Sequence, residues 1–409
     1  MEEKLLIGPF TQLLPLSGLP LKGAISDEKL LVIEQGGLLI SNGRISEIGK
    51  FSELKKVAYR IERVEEETVC LPGFIDAHTH ICFGGSRAND YAMRNAGKSY
   101  LDIAKAGGGI WDTVTKTRKE TDNSLVDGIV ERAKTHLSQG TTTIEVKSGY
   151  GLTVAEELKM LRAIKKANNT TPQDLIATCL AAHMIPKDWS GKPQEYLSEI
   201  TENLFPILLS EKLTNRIDAF IEESAFTAYQ IEPYFKAGKA LGLDITVHAD
   251  QFSTGGSQVA VDFGAVSADH LEASGDLEIE LLAKSNTVAV ALPGASIGLG
   301  CEFSPARKLL DSGACLAIAS DHNPGSAPMG NLITQASLLG TFQKLSNAEV
   351  LAGITARAAK ALNMNDRGEL SKRKLADFCL FPTNNYQEIT YHQGQLLPSM
   401  VYKNGKKVF

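Results

Sequence analysis

Two histidines one residue apart, His78 and His80, close the stretch Val69-Cys70-Leu71-Pro72-Gly73-Phe74-Ile75-Asp76-Ala77-His78-Thr79-His80. In a β-strand, alternate side chains share a face, so both imidazoles point the same way. Two imidazoles on one face can hold one transition-metal ion. Taken alone, the pair can also be explained as two polar residues wetting a strand end. The chain has eight histidines in all. His183, His248, His270 and His322 each end or follow an apolar run, whereas His136 and His392 do not. Asp321 precedes His322 in Ala319-Ser320-Asp321-His322-Asn323-Pro324-Gly325. There it can be a simple turn residue before Asn-Pro-Gly, or a metal ligand and proton acceptor.

What must position these groups is read from the periodicity. Between residues 69 and 364, short apolar runs at 74–80, 142–146, 175–182, 217–221, 243–248, 265–270, 287–292 and 315–320 read as strands. Helical periodicity falls between them, for example at 124–137, 154–167, 228–241 and 304–310. Strand and helix in alternation imply a parallel sheet, and eight such units imply an α/β protein with a closed (β/α)8 TIM-like barrel. An open doubly wound sheet would need a glycine fingerprint after an early strand. Gly107-Gly108-Gly109 lacks the preceding strand and reads as a loop. Both chain ends read as β, with Asn42-Gly43 and Asn404-Gly405 each marking a type I′ hairpin. Neither end can bury a good core alone. Residues 1–68 and 365–409 are therefore expected to form one discontinuous β-sandwich domain around the barrel domain of 69–364.

Barrel active sites lie at the C-terminal ends of the strands. On this barrel His78 and His80 end strand one, His183 follows strand three, His248 and His270 end strands five and six, and His322 follows strand eight. Six histidines on one rim predict a metal site. Since strand eight closes onto strand one, His78, His80, His248 and Asp321 form the expected ligand set for one divalent ion, Zn2+ or Fe, with a position open for water.

Composition narrows the class. The 409 residues are 43% hydrophobic and 22% charged, the balance of a globular protein with a sizeable core. A net charge of −6 gives no basis for nucleic-acid or anionic-membrane binding. The N-terminal apolar run is too short for a signal peptide, and no run suggests a membrane span. The six cysteines are scattered without a Cys-x-x-Cys, which reads as free thiols in a reducing, cytoplasmic setting. A homodimer is expected, because outer barrel helices often pair.

The opening motif Pro72–His80 resembles that of the amidohydrolase superfamily. Gly368-Glu369-Leu370 with Leu375-Ala376-Asp377-Phe378 is similar to that superfamily's closing segment. Strand four holds no lysine able to bridge two metals, so the resemblance is to the single-metal branch. Within it, Phe83-Gly84-Gly85-Ser86-Arg87, Glu145-Val146-Lys147-Ser148-Gly149-Tyr150-Gly151-Leu152, His248-Ala249-Asp250-Gln251, Ser267-Ala268-Asp269-His270-Leu271-Glu272 and Asp321-His322-Asn323-Pro324-Gly325-Ser326 resemble the imidazolonepropionase family. There are departures. Ile221-Glu222-Glu223 stands where a cysteine before the glutamate is expected, and Gln251 stands where some members carry Glu.

The resemblance implies hydrolysis of 4-imidazolone-5-propanoate, a small molecule with a carboxylate tail, to N-formimidoyl-L-glutamate in histidine degradation. Asp321 and His270 are the implied catalytic pair, as proton acceptor and oxyanion stabiliser. Arg87 would clamp the propanoate, with Tyr150, His183 and Gln251 as further substrate contacts. Asn323, Gly325 and Ser326 lie in a turn that could aim backbone N–H groups at an anion. Lys147 and Glu222 read as structural ion-pair partners. The competing readings are a cytosine or guanine deaminase on the same ligands, and a non-catalytic scaffold on the same barrel, against which the presence of all four ligand residues and His270 argues.

Overall fold

The computed structural model describes residues 4–409. Eight strands form a parallel sheet in sequence order: Phe74–Asp76, Thr141–Lys147, Asp174–Ala182, Arg216–Ile221, Asp244–Ala249, Ser267–His270, Val288–Ala291 and Leu316–Ile318. Closure comes just above the last and first strands. Thr79 bridges His322, the His80 N–H donates to the His322 carbonyl at 2.9 Å, and the Asp321 N–H donates to the His78 carbonyl at 3.0 Å. The barrel is therefore sealed at the point where the expected ligands emerge. Regular pairing in the first and last strands stops at Asp76 and Ile318, short of the expected 80 and 320. Beyond Ile318 the chain turns out of the sheet, with Asp321 at a φ of 51°.

Every residue of the second and fourth strands is buried, as expected where helices cover one face and the barrel interior the other. Several covering helices carry apolar faces and begin on side-chain caps. Asp122–Ser138 buries Leu125, Val126, Ile129, Ala133 and Leu137, and the Thr121 hydroxyl accepts from the Ser124 N–H at 3.1 Å. Val154–Asn168 begins in the same way on Thr153, and Ala228–Ala240 on Thr227. Among the described residues no helix is long and apolar enough to cross a membrane.

The two chain ends build a second, eight-stranded sheet. Leu5–Leu13 pairs with Ile33–Ser41 and Val69–Pro72, and Val69–Pro72 pairs in turn with Phe378–Phe381. Its core packs Ile7, Phe10, Leu38, Cys70, Phe378 and Leu380. Both Asn-Gly pairs sit at positive φ (51° and 74° at Asn42-Gly43, 50° and 72° at Asn404-Gly405), the backbone a type I′ turn requires. All six cysteines are free; Cys301 is exposed and the others are buried.

Candidate metal centre and substrate cavity

The barrel brings three imidazoles together from two regions of the chain. His78 and His80 leave the first strand and His248 lies on the fifth, and one ligand atom from each falls within 4.8 Å of the others. His78 Nε2 is 3.2 Å from His80 Nε2, which is 3.3 Å from His248 Nε2. Asp321 Oδ1 stands 3.6 Å from His78 Nε2 and 3.5 Å from His80 Nε2. The far side of two rings faces carboxylates. His78 Nδ1 is 2.7 Å from Asp269 Oδ2, and His248 Nδ1 is 2.9 Å from Asp218 Oδ2. A carboxylate at Nδ1 keeps the proton there and leaves the Nε2 lone pair facing inward.

Burial holds His78 and His80 well below the ordinary imidazole range, with Lys147 and the neighbouring imidazoles adding to it. His248 is lowered to about 4 by burial, which Asp218 only partly offsets. Neutral imidazoles with converging lone pairs have no proton to share. That donor set fits a cation in the middle, with Asp321 completing it.

Asp321 and His270 are the polar groups poised beside this cluster. Burial raises Asp321 to about 7, against the opposing pull of His270. Burial alone would lower His270, but the carboxylates of Glu272, Asp321 and Asp269 outweigh it and favour the imidazolium. Glu272 Oε2 lies 3.5 Å from His270 Nδ1. His270 and Asp321 both sit at positive φ, 86° and 51°, where non-glycine residues are uncommon and strain gathers at functional sites.

Above the cluster opens a cavity of about 670 Å³ whose lining includes His80, Arg87, Tyr150, His183, His248, Gln251, His270, Asp321, Asn323 and Ser326. Most expected substrate contacts thus share one wall or another of it. His183 Nδ1 is 2.9 Å from the Gly149 carbonyl and donates to it, which leaves Nε2 as the free ring nitrogen. Tyr150 is buried, with its ring 5.8 Å from that of His80, and burial pushes its hydroxyl up so that it stays a neutral donor. The Gln251 side chain makes no hydrogen bond among the described residues. Arg87 is nearly enclosed, and its Nε donates to Asp90 Oδ2 at 2.8 Å. That contact uses one edge of the guanidinium and fixes its plane.

Two expectations are corrected by the geometry. The N–H groups of Gly325 and Ser326 do not wait for an anion, because both donate to Asn323 Oδ1, at 2.7 and 2.8 Å. Asn323 Nδ2 in turn donates to the Asp321 carbonyl at 2.7 Å. The amide closes the turn and braces Asp321. Gly325 serves Arg87 instead, since a Cβ there would fall 2.6 Å from Arg87 Cζ. Glu222 is not an ion-pair partner among the described residues. It accepts from the Phe252 N–H at 2.8 Å and the Ser253 N–H at 3.3 Å, and so pins the loop that carries Gln251.

Sequence reasoning passed over Asp218, Asp269, Glu272 and Asp90. Asp218, Asp269 and Glu272 lie inside or just after barrel strands, where pairing depends on which face each strand turns inward, whereas Asp90 lies on the helix Ala88–Asn95, three residues after Arg87. Asp269 and Glu272 flank His270 in a motif whose alternation could have flagged them. His136, set apart in the sequence, lies 2.9 Å from His322 Nδ1 through its Nε2.

A closed parallel barrel with a buried imidazole–carboxylate cluster at its C-terminal rim defines a class of hydrolases. The family model for the amidohydrolase family matches residues 69–408, and the chain belongs to that family. Among curated relatives, an imidazolonepropionase of Yersinia enterocolitica is 37% identical over 92% of this chain and 94% of its own length. One of Bdellovibrio bacteriovorus is 38% identical over 99% of this chain and 96% of its own. Among solved structures, an adenosine deaminase from Xanthomonas campestris with bound zinc superposes with a TM-score of 0.72. It is 18% identical, over 98% of this chain and 92% of that one, and bears on the fold alone.

Proposed function

We propose that this chain hydrolyses 4-imidazolone-5-propanoate to N-formimidoyl-L-glutamate, the imidazolonepropionase reaction of histidine degradation. The observation that carries this reading is one cavity that holds an imidazole–carboxylate cluster and, in its lining, an oriented guanidinium. The substrate needs both, a site for amide hydrolysis and an anchor for a carboxylate. Relatives 37–38% identical over nearly the whole chain support the same reaction.

His78, His80, His248 and Asp321 would hold one divalent ion, zinc or iron. Such an ion lowers the pKa of a bound water to about 7 and polarises a carbonyl. The protein's own groups do the rest. Arg87, with Nε on Asp90, offers its outer edge to the propanoate. Tyr150, His183 and Gln251 orient the ring. As the water oxygen joins the ring carbonyl carbon, Asp321 accepts the water's proton, then delivers it to the ring nitrogen as the C–N bond breaks. His270, whose pKa Glu272 helps to raise, donates to the developing oxyanion, a role worth about 3 kcal/mol for one preorganised donor. An anchor for a carboxylate tail favours this reading over nucleobase deamination, for which such a tail is dispensable.

We further propose that residues 1–68 and 365–409, joined by the strand Val69–Pro72 that pairs into their sheet, form one domain around the barrel carried by the rest of 69–364, that the protein works in the cytoplasm, and that two copies associate through outer barrel helices. Sedimentation of the purified chain tests the last point.

The reaction is tested by following the absorbance of freshly generated 4-imidazolone-5-propanoate. The metal-loaded protein should consume it, and a chelated sample or Asp321→Asn should not. A folded, metal-loaded sample that leaves the substrate untouched would overturn the reading and direct screening to cyclic amides and nucleobases.

A further inference from the structure

Beneath the three imidazoles lies a layer of charge that no substrate reaches. Lys147, at the end of the second strand, has a fully buried side chain. Its Nζ is 2.7 Å from Glu145 Oε1, 2.8 Å from Asp218 Oδ2 and 3.7 Å from Asp269 Oδ2. Burial alone would lower the ammonium's pKa, but the three carboxylates raise it above its ordinary value. Two of those oxygens have a second neighbour. Asp269 Oδ2 meets His78 Nδ1 and Asp218 Oδ2 meets His248 Nδ1. The oxygen that faces each imidazole therefore also faces the ammonium.

The placement matters because sheet hydrogen bonds do not join the two histidines directly. The first barrel strand pairs with the second, and the fifth with the fourth and sixth. Lys147 reaches from the second strand to Asp218 on the fourth and Asp269 on the sixth. We propose that Lys147 is a positioning residue of the metal centre: by bridging Asp218 and Asp269 it fixes the rotation of His248 and His78 together, and so presets the spacing of their Nε2 atoms for the ion. A hydrogen-bonded carboxylate behind a ligating imidazole fixes ring orientation. Here one lysine stands within ion-pair distance, 2.8 and 3.7 Å, of the two carboxylates behind His248 and His78. Glu145 supplies an internal control, since it contacts Lys147 but faces none of the three imidazoles.

The inference rests on the proposed metal site, and its test separates the two. Zinc affinity is measured by competition with a chromophoric chelator, with circular dichroism and Tm on the same samples. The wild-type protein should bind one zinc. Lys147→Met should stay folded and bind zinc about 10–100-fold more weakly. Glu145→Gln should lose thermal stability and keep its zinc affinity. Wild-type affinity in folded Lys147→Met, or a loss in Glu145→Gln matching that in Lys147→Met, overturns the proposal. If Lys147→Met does not fold, Asp218→Asn, Asp269→Asn and the double variant decide. A shared lysine predicts a double loss smaller than the product of the single losses, whereas multiplicative losses overturn it. A wild-type protein that binds no zinc or iron defeats the metal reading itself, and the inference falls with it.

Discussion

Replacing Arg87 with lysine keeps the positive charge and removes the fork, and the surroundings set the consequence. The Arg87 side chain is 9% exposed, and Asp90, which it contacts at 2.8 Å, is 3% exposed. Asp90 also accepts the Gly109 N–H at 2.9 Å, so it is held in place and will capture any cation at position 87. A guanidinium can satisfy Asp90 through Nε and still present two nitrogens to a substrate carboxylate. A lysine has one nitrogen, and Asp90 takes it. The substrate then loses a charge-assisted contact of about 1.5–3 kcal/mol. At about 1.4 kcal/mol per tenfold, KM should rise roughly 10–100-fold. Because the tail is remote from the ring amide, kcat should change far less than KM. The assay is the absorbance decay of 4-imidazolone-5-propanoate, run beside the tail-less imidazol-4-one. The defect should vanish with the tail-less ring, on which wild type and Arg87→Lys should be equally poor. A defect of the same size on both substrates, or no defect on either, would refute the assignment of Arg87 to the carboxylate.

Gly325→Ala tests the same anchor from behind. The new Cβ collides with the Arg87 guanidinium and should reproduce the rise in KM with kcat nearly kept; an unchanged KM would mean that the guanidinium's place is not critical. Asp321→Asn should lower kcat by about 10²–10⁴-fold, the range for a lost general base, and a variant retaining wild-type kcat would remove Asp321 from the chemistry. A chelator should abolish activity, and zinc or iron(II) should restore it where magnesium does not, since imidazole ligands favour the former ions. Rescue by magnesium would contradict the imidazole site.

Acid stability gives a further test. Burial alone would raise Asp174, but Lys403 and Arg367 outweigh it and hold it below the usual carboxylate range. Its folded pKa is therefore below its unfolded value of about 3.9, so these pairs stabilise the fold above that pH and the benefit is lost as pH falls through the folded pKa. Asp174→Asn should cost about 1 kcal/mol at pH 7, a discounted figure for a partly exposed group, and should flatten the acid limb of Tm against pH. Parallel acid limbs for the two proteins would refute the pairing.

Much of this protein is local in origin and so legible along the chain. Strand–helix alternation needs only the periodicity of apolar residues, and it marked the eight barrel strands. The hairpin turns needed only Asn-Gly, whose backbone tolerates positive φ. His78, His80 and His248, whose ligand atoms the structure brings within 4.8 Å of one another, were legible as a group because barrel sites lie at strand ends, and strand ends can be counted. Tertiary structure decided what depends on groups far apart in sequence meeting in a low-dielectric interior. Asp218 and Asp269 became the partners of His248 and His78 only because the fourth and sixth strands turn those residues inward. Lys147 could be read as an ion-pair partner, but not as one shared by both carboxylates. The turn after Asp321 looked like an anion cradle until the Asn323 side chain took its N–H groups. The family resemblance named Arg87 as a carboxylate clamp, but only the fold shows Asp90 holding one edge of it and Gly325 leaving room for the rest. Residue types and spacing determined which chemistry was possible. The competition among buried donors and acceptors for partners, which only the closed barrel resolves, decided which groups remain free to perform it.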